Sequence, residues 1–239
     1  MIPLYLKTPE FVEPSASLYY LVAANGTFLV QKTALFSAIT KAQAVPGLLS
    51  QEASCQLFFP RVPRAVMEQV YGFFQAVYEH WQGEAIVFLY YAPESGAFRI
   101  AVPSQTLFRY RSLSGRWRTE RRVVYGSLPR PQGFVKLGDV HSHADLSAFF
   151  SCTDDQDDTE DGLRIVLGDL HYVQPDVSVS FVANGTRFLL EPEEVLEDFS
   201  IPLPPPQEWL EQVSCQEADH SEREEQQDAH EQGEADRQD

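Results

Sequence analysis

No apolar run in this sequence approaches the ~18 residues that mark a membrane-spanning helix, and the opening MIPLYLKTPEF lacks the layout of a secretory signal. A membrane role is not expected. Cysteine is scarce too: Cys55, Cys152 and Cys215 are odd in number, far apart, and match neither a disulfide framework nor a zinc-ribbon spacing. That usage fits a reducing compartment, so a cytoplasmic protein is expected. Basic charge is in short supply as well, with 18 Lys and Arg against 35 Asp and Glu and a formal net charge of −17. Phosphate binding needs a basic surface, which argues against nucleic acid as the main partner.

The acidity is local. From Glu191 onward 17 of the acids stand against only Arg223 and Arg237, which leaves 18 acids and 16 bases in the rest of the chain. An apolar share of 44% over 239 residues provides for one good-sized core and a small appendage.

Along the chain, residues 1–60 read as a β-rich extension. SLYYLVAANGTFLVQKT has two strand-like runs around Asn25-Gly26, a favoured hairpin pair, and residues 34–45 have the pattern of a short amphipathic helix ended by Pro46-Gly47. The spacing of Val66, Val70, Phe73, Phe74 and Val77 predicts a helix over 63–81, with Pro63 in its first turn and Gly83 as its breaker. Two strands follow around Glu94-Ser95-Gly96. Then comes an Arg-rich ribbon over 109–122 with its turn at Ser114-Gly115, and a strand over 133–141. A short helix over 151–161, a buried strand over 163–170 and a second Asn-Gly hairpin at Asn184-Gly185 complete the expected domain, residues 61–200. The fold class this gives is mixed α/β (α+β), a sheet flanked by helices. Residues 201–239 read as a Pro-rich linker and an acidic tail, disordered from 207 onward because it has too little apolar surface to offset ordering entropy.

The chemistry concentrates in GDVHSHADLSAFFSCTDDQDD, residues 138–158. His141 and His143 are two apart, so on a strand both imidazoles point to one side. With Asp154 they form the ligand set of a catalytic zinc that keeps one position open for water. Ser151, three residues before Asp154, is placed to donate a hydrogen bond to an oxyanion. Ser151 and Asp154 also read as the N-cap and first turn of a helix, which does not compete with the metal reading. Asp155, Asp157 and Asp158 read as a solvated acidic face. Such a site needs a proton shuttle, and Glu84, opening the most apolar strand, is the first candidate; Glu79 and Glu94 are its substitutes. Cys152 has no base at nucleophile spacing and reads as a packed thiol.

His-x-His, seven residues, then Ser-x-x-Asp, preceded by a helix and a strand-opening Glu, resembles the JAMM (MPN+, JAB-domain) zinc metalloproteases, over about residues 63–190. HSHADLSAFFSCTDD is similar to the prokaryotic branch. The resemblance implies a bacterial enzyme with His141, His143 and Asp154 as zinc ligands, Glu84 as general acid and base, and Ser151 as oxyanion donor. It also implies an isopeptidase acting on a ubiquitin-like protein or its conjugate. Ala144 and Phe150 depart from it, standing where proline is frequent in eukaryotic members. The arginines at 109, 111, 116, 118, 121 and 122 read either as one wall of the substrate site or as a solvated ribbon. The alternative to an enzyme is a catalytically inactive MPN-type scaffold that binds a protein partner. Oligomeric state is not legible.

Overall fold

The computed structural model describes residues 2–33, 35–112, 116–150 and 160–218, in two compact units, Met1–Ala53 and Ser54–Asp239. Ser114, Gly115, Ser151, Cys152, Asp154, Asp155, Asp157, Asp158, nearly all of the helix expected over 151–161, and residues 219–239 lie outside the described residues.

The first unit is a four-stranded sheet in the order β1 (Leu4–Leu6), β2 (Leu18–Ala23), β3 (Gly26–Lys32) and β4 (Ser37–Lys41). Tyr19, Leu21 and Val30 form its core cluster, with Tyr5, Phe11 and Phe28 packed against them, and Tyr20 is buried as well. The helix expected over 34–45 is absent; this stretch supplies β4 instead. Ile39 lies directly opposite Val30, and β-branched Ile39 and Thr40 fit a ladder against an open strand edge better than an isolated helical turn.

The second unit opens with α1 (Arg64–Trp81). Pro63 stands just outside it with extended backbone, and the helix stops because Gln82 turns left-handed, φ 54°, one residue before Gly83. A six-stranded sheet follows in the order β12 (Thr186–Leu190), β11 (Asp176–Ala183), β10 (Gly162–Gly168), β9 (Val135–Ser142), β5 (Ile86–Ala92), β6 (Ala97–Ala101). β9 and β10 are parallel and the other neighbours antiparallel. Val87, Val140, Ile165 and Val179 form one row across four strands, and α1 covers that face through Met67, Val70, Phe73, Phe74 and Val77 in a single core. β10 is buried along its whole length, as a central strand with both faces covered must be.

A third sheet, β13 (Val213–Ala218), β7 (Gln105–Arg111) and β8 (Trp117–Tyr125), carries the arginine ribbon. Its Val123 packs on Ile86, Phe88 and Tyr90, the other face of the main sheet. The second face is therefore covered by a ribbon, not a helix.

This corrects the expected fold class. Among the described residues strand accounts for 41% and helix for 13%, so they are mainly β, with three mixed sheets and little helical flanking. Besides α1, only α2 (Pro192–Val195) and α3 (Gln207–Leu210) are helical among the described residues, four residues each. The expectation of disorder from 207 is corrected over 207–218: Trp209 meets Phe73 edge-on at 5.9 Å, and Val213 is buried as β13 adds to β7. Few apolar residues were enough because they alternate on a strand. No helix among the described residues is long and apolar enough to cross a membrane.

Candidate active site

Strand alternation places His141 on the face opposite the α1 core, beside Ile86 of β5 and Val166 of β10. Pairing continues past the end of β5: Ala85 N–H donates to Ser142 Oγ (3.0 Å) and Ser142 N–H to the Ala85 carbonyl (2.9 Å). That bonding holds the chain just after Glu84 beside the residue just before His143, and both side chains line the same cleft. Lower on the same ladder a bulge between Leu89 and Tyr90 shifts the parity. It turns Leu137 into the core and Lys136 toward Phe88, with Nζ 4.7 Å from the ring centroid.

Glu84, His141 and His143 line one cleft of about 880 Å³, floored by Ile86, Phe88 and Tyr90 and walled by Arg121, Arg122, Val123 and Tyr125 of β8. The imidazole centroids of His141 and His143 are 5.2 Å apart. His143 is buried, its N–H donating to the Leu167 carbonyl at 2.9 Å, and Phe149 meets its ring edge-on at 4.7 Å. His141 is half-buried, with Nδ1 3.9 Å from Asp139 Oδ1; the other oxygen of Asp139 lies 3.4 Å from the buried Arg164 guanidinium. At the rim Lys136, by hydrogen bond and charge, holds the Glu160 carboxyl below the usual range.

The chain leaves His143 through Ala144, left-handed at φ 51°. Proline, locked near φ −65°, cannot adopt that conformation, so the departure noted at Ala144 has a backbone cause: this turn differs from one opened by proline. The following loop is tied to the sheet. Asp169 N–H donates to the Leu146 carbonyl, Ala148 N–H to Asp176 Oδ2 (2.9 Å), and Ser178 Oγ to the Ala148 carbonyl (2.9 Å). Gly168 makes this possible, because a Cβ there would collide with backbone atoms of Leu146, Ser147 and Ala148. Phe150 is fixed by the Arg187 guanidinium, 4.4 Å from its ring centroid. The loop thus carries the chain from His143 toward Ser151 along a defined path.

Of the substitute bases, Glu79 is exposed on α1, which packs on the opposite face, and Glu94 is exposed in the β5–β6 turn. Neither lines the cleft. Ser151 and Asp154 lie outside the described residues, and among the described residues no three His, Cys, Asp or Glu side chains form a metal-sized group. The donors present nevertheless suit zinc: two neighbouring imidazoles on one strand face, with a carboxylate behind one of them. Sequence reasoning missed Gln105, Asp139, Arg164 and Gly168. Of these only Asp139 carried a signal, a carboxylate two residues before His141 and so on its face. Comparison with known proteins finds no family model, no curated protein and no solved structure that matches this chain.

Proposed function

We propose that this chain is a zinc-dependent peptidase or isopeptidase of the JAMM type, cleaving at or near the C-terminus of a protein substrate, a ubiquitin-like protein or its conjugate. The observation that carries this reading is the convergence of Glu84, His141 and His143 on one cleft, with Ile86, two residues after Glu84, paired with His141 on the neighbouring strand. His141, His143 and Asp154 are the residues that would hold the metal. Bound there, zinc supplies a Lewis acid and lowers the pKa of its water. Glu84 takes the proton from the attacking water and returns it to the departing nitrogen. Ser151 donates a hydrogen bond to the carbonyl oxygen as it gains charge. Free thiols at Cys55 and Cys215 fit a cytoplasmic setting.

Metal analysis of the purified chain beside an Asp154→Ala variant tests the proposal. About one zinc per chain is expected, lost in the variant. No zinc in either, even after reconstitution, overturns it and leaves a scaffold that binds a protein partner.

A further inference from the structure

The cleft holds more positive charge than the proposed chemistry uses. Four cations line it: Arg121, Arg122, Lys136 and Arg164. Two are committed elsewhere. Arg164 is buried against Asp139 and donates to the carbonyls of Leu163 and Glu160, and Lys136 pairs with Glu160 at 2.9 Å. Arg109, on the same ribbon but away from the cleft, reaches Glu217 and stacks over Trp117. Arg121 and Arg122 differ from all of these. Both are exposed on β8, an outer strand of its sheet, and neither side chain makes an ion pair or hydrogen bond among the described residues.

Two exposed arginines lining a cleft with an apolar floor complement an extended segment that alternates apolar and carboxylate side chains. We infer that the cleft selects acidic peptide segments, with Arg121 and Arg122 binding the carboxylates that flank the bond to be cleaved. This deepens the proposed function and rests on it for the cleavage, though not for the binding. A basic segment is repelled at the same lip, so charge sign becomes a determinant of which protein is cut. Acidic peptide can reach the lip from two sources. One is a substrate. The other is the chain itself, which has nine acidic residues from Asp219 to Asp239, following a strand that belongs to the same sheet as β8.

The test is fluorescence anisotropy on the full-length Glu84→Gln chain, with a labelled ten-residue peptide bearing Glu at alternate positions and its Gln counterpart. The Glu peptide should bind more tightly, and Arg121→Gln with Arg122→Gln should weaken it roughly five- to tenfold, as expected for two exposed ion pairs. The advantage should shrink at high salt. A second full-length form, with the nine tail acids changed to Asn or Gln, separates the sources. Tighter peptide binding there identifies the tail as an occupant; unchanged binding assigns the lip to substrate alone. Zinc content read on the same samples exposes a failure of the metal proposal separately. Equal binding of the Glu and Gln peptides by both forms, or no binding of either, overturns the inference.

Discussion

Glu84 owes its position to two neutral side chains that carry no motif. Gln105 is only 2% exposed, and its amide works as a short stretch of strand: Oε1 accepts the Ile86 N–H at 2.9 Å and Nε2 donates to the Ile86 carbonyl at 3.0 Å. β6 pairs with β5 only as far as Phe88, so without Gln105 those buried backbone groups would lack partners. Ser142 does the same for Ala85 on the other edge. The start of β5 is therefore held from both sides, which fixes the backbone just after Glu84. Glu84→Gln preserves shape and removes the proposed proton shuttle. Turnover should fall about 10²–10⁴-fold, with zinc content and melting temperature unchanged. Steady-state kinetics beside metal analysis checks this, and a variant with normal kcat would move the base elsewhere. Glu84 was singled out from the sequence because it opens an apolar strand. Gln105 was not, since nothing in its neighbours signals that its side chain will replace a missing strand.

At the scale of elements, the stretch between the second histidine and Ser151 is positioned by a residue on another strand. Gly168 ends β10 directly beneath backbone atoms of 146–148. Adding a methyl there must push the loop off the sheet, straining the bonds from Ala148 to Asp176 and Ser178. Gly168→Ala should cost about 1–3 kcal/mol, the usual range for overpacking, and weaken zinc binding because the loop leads to two of the proposed site residues. Calorimetry and a chelator competition read the two effects; an unchanged melting temperature would mean that the loop gives way freely. Long elements with strong periodicity were legible in advance, α1 and the β5–β6 hairpin among them. Short ones were not, and the two Ala-Asn-Gly-Thr turns show why. At 183–186 the turn is Asn184-Gly185, both left-handed, with Ala183 opposite Thr186. At 24–27 the same four residues are paired one position earlier, Ala23 opposite Gly26, so Ala24-Asn25 makes the turn. The register that buries Tyr19, Leu21 and Val30 on one face decides it, because a one-residue slip would turn that set outward.

For the whole molecule, composition misleads where distribution informs. A net charge of −17 describes the end of the chain far more than the body that holds the cleft, where arginines outnumber their partners at the β8 lip. The same unevenness holds for stability. The 1–53 unit buries Tyr19, Leu21 and Val30 with a few partly covered neighbours, whereas the 54–239 unit has a continuous core from α1 through four strands. Small units bury a smaller share of their surface and are correspondingly marginal. Between β4 and the second unit, residues 42–53 form no helix or strand, and Leu48 and Leu49 are 66% and 98% exposed. A protease that cuts before large apolar residues, such as thermolysin, should cleave first at Leu48-Leu49. The fragment that begins there should keep the zinc proposed for the full chain, since the proposed site residues Glu84, His141, His143, Ser151 and Asp154 all follow the cut. Mass spectrometry of a digestion time course, with metal analysis of the surviving fragment, measures both. Early loss of zinc with the first cut would mean that residues 1–53 sustain the site, and the body of the protein could no longer be read as an independent catalytic unit.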